Sequence, residues 1–224
     1  MGYKVKNLFV TVGVLVISLL LINTASARDN WGFTLSDLVV KYKLNDDFTL
    51  KLNYNTSAKE DKKPFYYSYA RVGLIYSPYE WLDLTPTYHH AYSRANNGKL
   101  SHEDRLFLDT TFKWKAMGLK FSDRNRMELR NFDIRPDHVF RYRNEFKISK
   151  VVDFMGTKVV PFISNEIWYD LTDHEADFNW ATVGVSKRLT KNLIVSLYYR
   201  LESFKTGEDW SETNFIGTGV VLSY

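Results

Sequence analysis

The chain has 224 residues, a formal net charge of +4 and no cysteine. Disulfides and thiolate metal sites are thereby excluded, and the charge is too mild to imply a nucleic-acid partner. The length suits one domain, and no apolar run reaches the ~20 residues of a membrane-spanning helix, so a membrane could be crossed only by strands.

At the start, Lys4 and Lys6 precede an apolar run from Leu8 to Ile22 and then Ala25-Ser26-Ala27. These are the three parts of a secretory signal peptide, so residues 1–27 are expected to leave and a single domain, 28–224, to remain. Alternating segments follow. Phe33 to Leu44 is a strand whose face is mixed by Asp37, Lys41 and Lys43. Phe48, Leu50, Leu52 and Tyr54 alternate against Thr49, Lys51 and Asn53. In Tyr66 to Tyr76 two tyrosines bracket a small-to-apolar middle, and ten steps of ~3.3 Å tilted ~40° give the roughly 25 Å height of a lipid-spanning strand. The segment from Glu80 to Tyr92 carries Pro86, which cannot donate to a sheet ladder. Leu106, Leu108, Phe112 and Trp114 oppose Glu103, Arg105 and Asp109.

The stretch from Arg124 to Lys147 is the most informative. Arg124, Arg126, Glu128 and Arg130 share one strand face, and Arg141, Arg143, Glu145 and Lys147 share one face of the next. Met127 and Leu129, then Phe140, Tyr142, Phe146 and Ile148, hold the other faces, with Asn125 and Asn144 as blemishes. Pairing Glu128 with Arg143 and Arg126 with Glu145 gives two opposite-charge cross-strand pairs and leaves Arg130 facing Arg141 without an acid. A slip of two residues also keeps two pairs but sets Arg126 against Arg143, so the first register is expected. Further on, Ile163, Ile167, Tyr169 and Leu171 oppose Ser164, Glu166, Trp168 and Asp170, and Val183 and Val185 oppose Ser186 and Arg188. Leu193, Val195, Leu197, Tyr199 and Leu201 oppose Ser196, Tyr198, Arg200 and Glu202.

Charge on a lipid-facing wall costs ~2 to 4 kcal/mol near the midplane, so the polar faces point inward and the apolar faces outward. The connections agree. Short ones near Asn45-Asp46, Ser77 to Glu80, Lys115 to Gly118 and Leu189 to Asn192, with a medium one from Lys150 to Thr157, alternate with longer polar ones. The longer ones are Ser57 to Pro64, Ser93 to Ser101, Asn131 to His138, Thr172 to Phe178 and Ser203 to Thr213. Short turns on one side and long loops on the other mark an outer-membrane barrel. Gly219, Leu222 and terminal Tyr224 resemble the C-terminal signal read by the barrel-assembly machinery. The fold predicted is an all-β antiparallel transmembrane barrel of 10–12 strands. The segments number eleven, whereas bacterial single-chain barrels have even counts, which points suspicion at Phe33 to Leu44 or at a strand hidden in a loop.

The runs Asp123-Arg-Asn-Arg-Met-Glu-Leu-Arg130, Phe140-Arg-Tyr-Arg-Asn-Glu145, Pro161-Phe-Ile-Ser-Asn-Glu-Ile-Trp-Tyr169 and Phe178-Asn179 before Gly184-Val-Ser resemble the outer-membrane barrel family known as domain of unknown function 2490. The resemblance implies a barrel and a location, the outer membrane of a Gram-negative bacterium, and carries no settled activity. Where that family commonly has a further asparagine and arginine after Phe-Asn, this chain has Trp180, Ala181 and Thr182, so one interior charge is missing.

For catalysis, His89 and Ser93 share a face but lie four strand steps apart, ~13 Å, far beyond the ~3 Å a general base must reach. His90 and Ser93 face opposite ways, and Ser101 and His102 diverge unless the loop bends them together. Asp170-Leu-Thr-Asp-His-Glu-Ala-Asp177 gathers acids around His174 but matches no calcium loop, and a solvated acidic loop is the plainer reading. The inward faces place Lys51, Arg71, Arg105, Arg124, Arg126, Arg130, Arg141, Arg143, Lys147, Arg188 and Arg200 against Asp83, Glu103, Asp109, Glu128, Glu145, Glu166 and Glu202. That cationic excess predicts a narrow, weakly anion-selective channel for small solutes. Ion pairs filling the barrel would make it a closed structural barrel instead, and a lipid-modifying enzyme is the third alternative. No cofactor and no catalytic or metal-ligating residue is assigned. The partners expected are outer-membrane lipid and lipopolysaccharide, the barrel-assembly machinery and small anionic solutes, with no nucleic acid.

Overall fold

Strict apolar/polar alternation over a dozen or more residues leaves each segment one wet or charged face and one greasy face, and a sheet closed on itself separates the two. The computed structural model of the chain describes residues 31–59, 62–94, 99–133 and 138–224. The proposed signal peptide, Lys4, Lys6, Leu8 to Ile22 and Ala25 to Ala27, lies outside the described residues. In chain order the strands are β1 (Trp31–Lys43), β2 (Phe48–Lys59), β3 (Lys62–Tyr79), β4 (Leu82–Arg94), β5 (Leu100–Ala116) and β6 (Leu119–Phe132). They continue as β7 (Val139–Ser149), β8 (Val152–Phe154), β9 (Thr157–Asp170), β10 (Glu175–Arg188), β11 (Leu193–Thr206) and β12 (Asp209–Ser223). β8 pairs only with the start of β9 as a short hairpin, while β7 pairs with β9 directly, so eleven strands form the closed wall.

The barrel closes between β1 and β12, which run parallel from Trp31 opposite Asn214 to Lys41 opposite Ser223. An odd count requires this, because up-and-down strands bring the first and last together pointing the same way. The expectation of an even count is corrected, and the suspected segment is a wall strand: Asp37 and Lys41 alternate inward while Leu38, Val40 and Tyr42 pair with the outward residues Tyr54, Leu52 and Leu50 of β2. Register shifts between Thr34 and Asp37 on one side and Thr34 and Ser36 on the other bend β1 as it joins both neighbours. The C-terminus is tied to β1, with Tyr224 N–H donating to Lys41 O at 2.9 Å and Lys43 N–H to Tyr224 O at 2.8 Å.

The long outer loops are also corrected. Strands absorb most of them, leaving two residues between β2 and β3 and short turns after β9 and β11. At the other end Met117-Gly118 and Met155-Gly156 each have two positive φ angles, 52° and 72°, the geometry of a type I′ hairpin turn. Pro86 sits in β4 opposite Leu108, and the β3–β4 ladder skips from Gly73–Thr87 to Tyr76–Leu84 around it. The missing proline N–H therefore falls where no bond is made.

Outward residues such as Leu106, Leu108, Met127, Phe140 and Ile163 are 45–57% exposed, and their inward neighbours Arg126 and Glu128 are 2% and 1% exposed. Stacked rings form a belt near the short turns: Tyr79 on Trp81 at 5.2 Å and Trp114 on Phe121 at 5.4 Å. Other rings face inward. On β12 and β1 the inward positions include Gly217 and Gly32, and the space a Cβ would take is held by rings, with Tyr198 Cζ 2.1 Å and Phe215 Cε1 2.2 Å from the ideal Cβ positions. Gly217→Val is expected to abolish the folded barrel, read as loss of the heat-modifiable band on gels. Gly219→Ala, whose new methyl would lie 3.6 Å from Ser196 Cβ, is expected to retain it.

Candidate functional site

The charged faces of β5, β6, β7 and β9 meet inside the barrel, and Glu128 is their centre. Its carboxylate accepts from Arg141 Nη2 at 2.6 Å and Nε at 2.9 Å, from Arg143 Nη1 at 3.1 Å and from Arg126 Nη1 at 3.3 Å. Arg126 grips Asp109 with two bonds, Nε at 2.6 Å and Nη2 at 3.0 Å. Arg143 Nε and Arg124 Nη2 converge on Glu166 Oε1 at 2.8 and 2.7 Å, and Arg124 also reaches Glu145 at 2.9 Å. Toward the outer end, Arg105 and Arg130 share Glu103, with Nε distances of 2.6 and 2.5 Å.

This network corrects the expected register. Glu128 lies opposite Arg141, Arg126 opposite Arg143 and Arg124 opposite Glu145, the slip that reasoning on two strands disfavoured. The juxtaposed Arg126 and Arg143 are neutralised from the sides, by Asp109 of β5 and Glu166 of β9, which offset their like-charge repulsion. Arg130 and Arg141 do not face one another either. Arg130 lies opposite Val139 and pairs with Glu103, while Arg141 pairs with Glu128.

Guanidinium faces left over by the carboxylates are covered by rings. Arg126 lies 3.9 Å from the Phe107 ring centre, Arg143 3.8 Å and Arg141 4.3 Å from that of Trp168. Lys147 extends over Phe162 at 4.0 Å, and Arg200 lies 4.2 Å over Trp180, near Glu202 at 3.5 Å. Arg188 does not join the interior. It is exposed and donates to Lys191 O at 2.8 Å in a turn. The sequence reading missed Phe107, Trp180 and Phe215 as interior groups, while Trp168 and Tyr198 lie on the inward faces to which alternation assigned them. The available signal was an inward glycine beside an aromatic on the next strand, as Gly184 faces Tyr198 and Phe162.

A family model described as protein of unknown function (DUF2490) matches residues 34–213. The chain belongs to that family. Among solved structures, a bacterial polysaccharide outer membrane secretin matches this DUF2490 chain with a TM-score of 0.51 and 10% identity, over 79% of this chain and 64% of that one. An anion-selective porin from Comamonas acidovorans gives a TM-score of 0.39 and 13% identity, over 82% of this chain and 53% of that one. The likeness to the secretin is one of fold, a barrel of the outer-membrane type, and the DUF2490 chain aligns with less than two thirds of either relative's length. No curated protein matches it in sequence.

In the DUF2490 barrel the bonds made by His89, Ser101 and His102 do not join a histidine to a serine. His89, fully buried, accepts from Arg71 Nε at Nδ1 at 2.6 Å, which puts its proton on Nε2, 3.2 Å from Tyr67 Oη. Ser101 and His102 both bind Asp133, the hydroxyl at 2.8 Å and Nδ1 at 3.0 Å, instead of each other. That carboxyl, beyond the end of β6, is held below its usual range chiefly by the Ser101 bond. In the acidic loop, Asp170 turns inward and caps the turn by accepting from Thr172 N–H at 2.8 Å, while Glu175 pairs with Lys205. Among the described residues the acids of that loop form no group of three or more that could hold a metal ion.

Removing the Glu128 carboxylate would strand several buried guanidiniums. Glu128→Ala is expected to cost about 3–5 kcal/mol in denaturant unfolding of the refolded barrel. Glu145→Ala removes a half-exposed acid beside a better-placed Glu166, and its effect should fall below about 1 kcal/mol.

Proposed function

We propose that the chain is a closed outer-membrane barrel, without steady transport, whose work is done at its outward wall and rims. The observation that carries this reading is the central layer. His89, Asp109, Arg126, Glu128, Arg141 and Arg143 are 0–3% exposed, so water-sized space touches almost none of their surface. On the facing wall Tyr198 and Phe215, 8% and 2% exposed, fill the width that Gly217 and Gly32 leave open. An anion track needs guanidinium groups free for solutes, and these are committed to carboxylates and rings. The central-layer arginines that suggested a weakly anion-selective channel are thus committed, and in this reading small anionic solutes are not among the partners.

Export by a signal peptide cleaved after Ala27, residence in the outer membrane of a Gram-negative bacterium, and recognition of Gly219, Leu222 and Tyr224 by the barrel-assembly machinery complete the proposal. In the folded barrel Leu222 pairs with Leu193 on the outward face and Tyr224 is tied to β1 at the seam. Outer-membrane lipid and lipopolysaccharide are the surrounding partners.

Folded, heat-modifiable protein incorporated into planar bilayers should give no steady single-channel steps at low or high salt. Steady steps with anion preference would restore the channel and overturn the closed barrel.

A further inference from the structure

The outward wall is not uniformly greasy. Asp123 and Asn125 alternate with the inward Arg124 and Arg126, and Asn144 with Arg143 and Glu145, so all three face outward on β6 and β7. Asn144 Nδ2 donates to Asp123 Oδ1 at 2.6 Å and to Asn125 Oδ1 at 3.3 Å, and Tyr142 Oη donates to Asn125 Oδ1. On the next two wall strands, Asn165 of β9 and Asn179 of β10 form a reciprocal amide pair at 3.1 and 3.2 Å. Along β9, Asn165 sits between Ile163 and Ile167, which are 54% and 47% exposed, within the apolar band and away from its edge. The outward faces of β2 and β11 read Phe48, Leu50, Leu52, Tyr54 and Leu193, Val195, Leu197, Tyr199. Those two faces carry no carboxamide or carboxylate within their apolar rows.

We propose that this patch, centred on Asn165, Asn179 and Ala181, is the contact through which two copies of the chain associate within the membrane. A carboxamide offers two N–H groups and two acceptor lone-pair sites. The reciprocal pair uses one N–H of each side chain and leaves the other directed at hydrocarbon, where no water can receive it. A second copy supplies what is missing, because the amide is its own complement and a two-fold axis sets the same surface against itself. Ala181, exposed and opposite Asn165 in the ladder, has only a methyl and lets the two walls approach closely. The acidic Asp123 lies two strands from Asn165, on β6 beyond β7, and, with the axis at β9–β10, stays at the margin, so the carboxylates of the two copies do not meet.

The absence of cysteine makes the test direct, since any disulfide in a single-cysteine variant joins two molecules. Asn165→Cys and Ala181→Cys, confirmed as folded by heat-modifiability, are oxidised in isolated membranes alongside Leu52→Cys on the opposite wall. A band of twice the monomer mass for the first two and none for Leu52→Cys supports the pairing. Wild-type protein should size as a dimer by light scattering in mild detergent, and Asn165→Leu/Asn179→Leu as a monomer. Monomeric wild type with no disulfide at either patch position, equal dimerisation through Leu52→Cys, or adducts only with a different protein would each overturn it. The channel measurement is unaffected by any of these outcomes, so this inference and the closed-barrel reading fail separately.

Discussion

Burying charge inside a narrow barrel is tolerable only when every charge finds counter-charge and hydrogen bonds, and the Glu128 cluster meets that condition with groups drawn from four strands. Asp109, Glu128 and Glu166 come from β5, β6 and β9, and the arginines between them from β6 and β7. No two of these strands could satisfy the set alone. The register of each strand is consequently fixed by its neighbours on both sides, and a slip anywhere would strand a guanidinium in a place water does not reach. Arginine suits this layer better than lysine, because its flat cation can hold a carboxylate at its edge while an aromatic ring covers its face, as Arg126 does with Asp109 and Phe107.

The opposite side of the barrel fills its width largely with rings laid over glycines. β10, β12 and β1 carry Gly184, Gly217 and Gly32 on inward positions, and Tyr198, Phe162 and Phe215 lie flat across them. These rings back the β1–β12 seam from inside. A parallel ladder is slightly weaker per residue than an antiparallel one, and β1 is bent by a register shift where it joins both neighbours. Apolar contact from Phe215, 2% exposed over Gly32, adds cohesion where backbone pairing is least regular.

Faces were legible in the sequence because alternation is a local property. The inward charges at Arg124, Arg126, Glu128, Arg130, Arg141, Arg143, Glu145 and Lys147 all lie on the side that period 2 assigned them. Register was not legible, because the partners that decide it, Asp109 and Glu166, sit 17 residues before Arg126 and 23 after Arg143. The strand count was legible, but the even-number rule obscured it, since nothing in a single strand announces that it will pair in parallel. Phe107, Trp180 and Phe215 escaped because aromatics are ordinarily counted as interface anchors, and Trp168, though assigned inward, is seen to partner an arginine, as Trp180 does, only once the strands are laid side by side.

Asn125 and Asn144 carry the last step. Read against the hydrophobic pattern of two strands they are defects, and a defect of that kind in a lipid-facing wall would be selected against on cost alone. In the barrel they are hydrogen-bonded to each other and to Asp123, near a second amide pair at Asn165 and Asn179. Mutual bonding lowers the cost of such groups but does not remove it, because an amide has more donors and acceptors than one neighbour can satisfy. The arginines around Glu128 are committed to carboxylates and rings, whereas the amides of this outward wall keep donors and acceptors that one neighbour does not use.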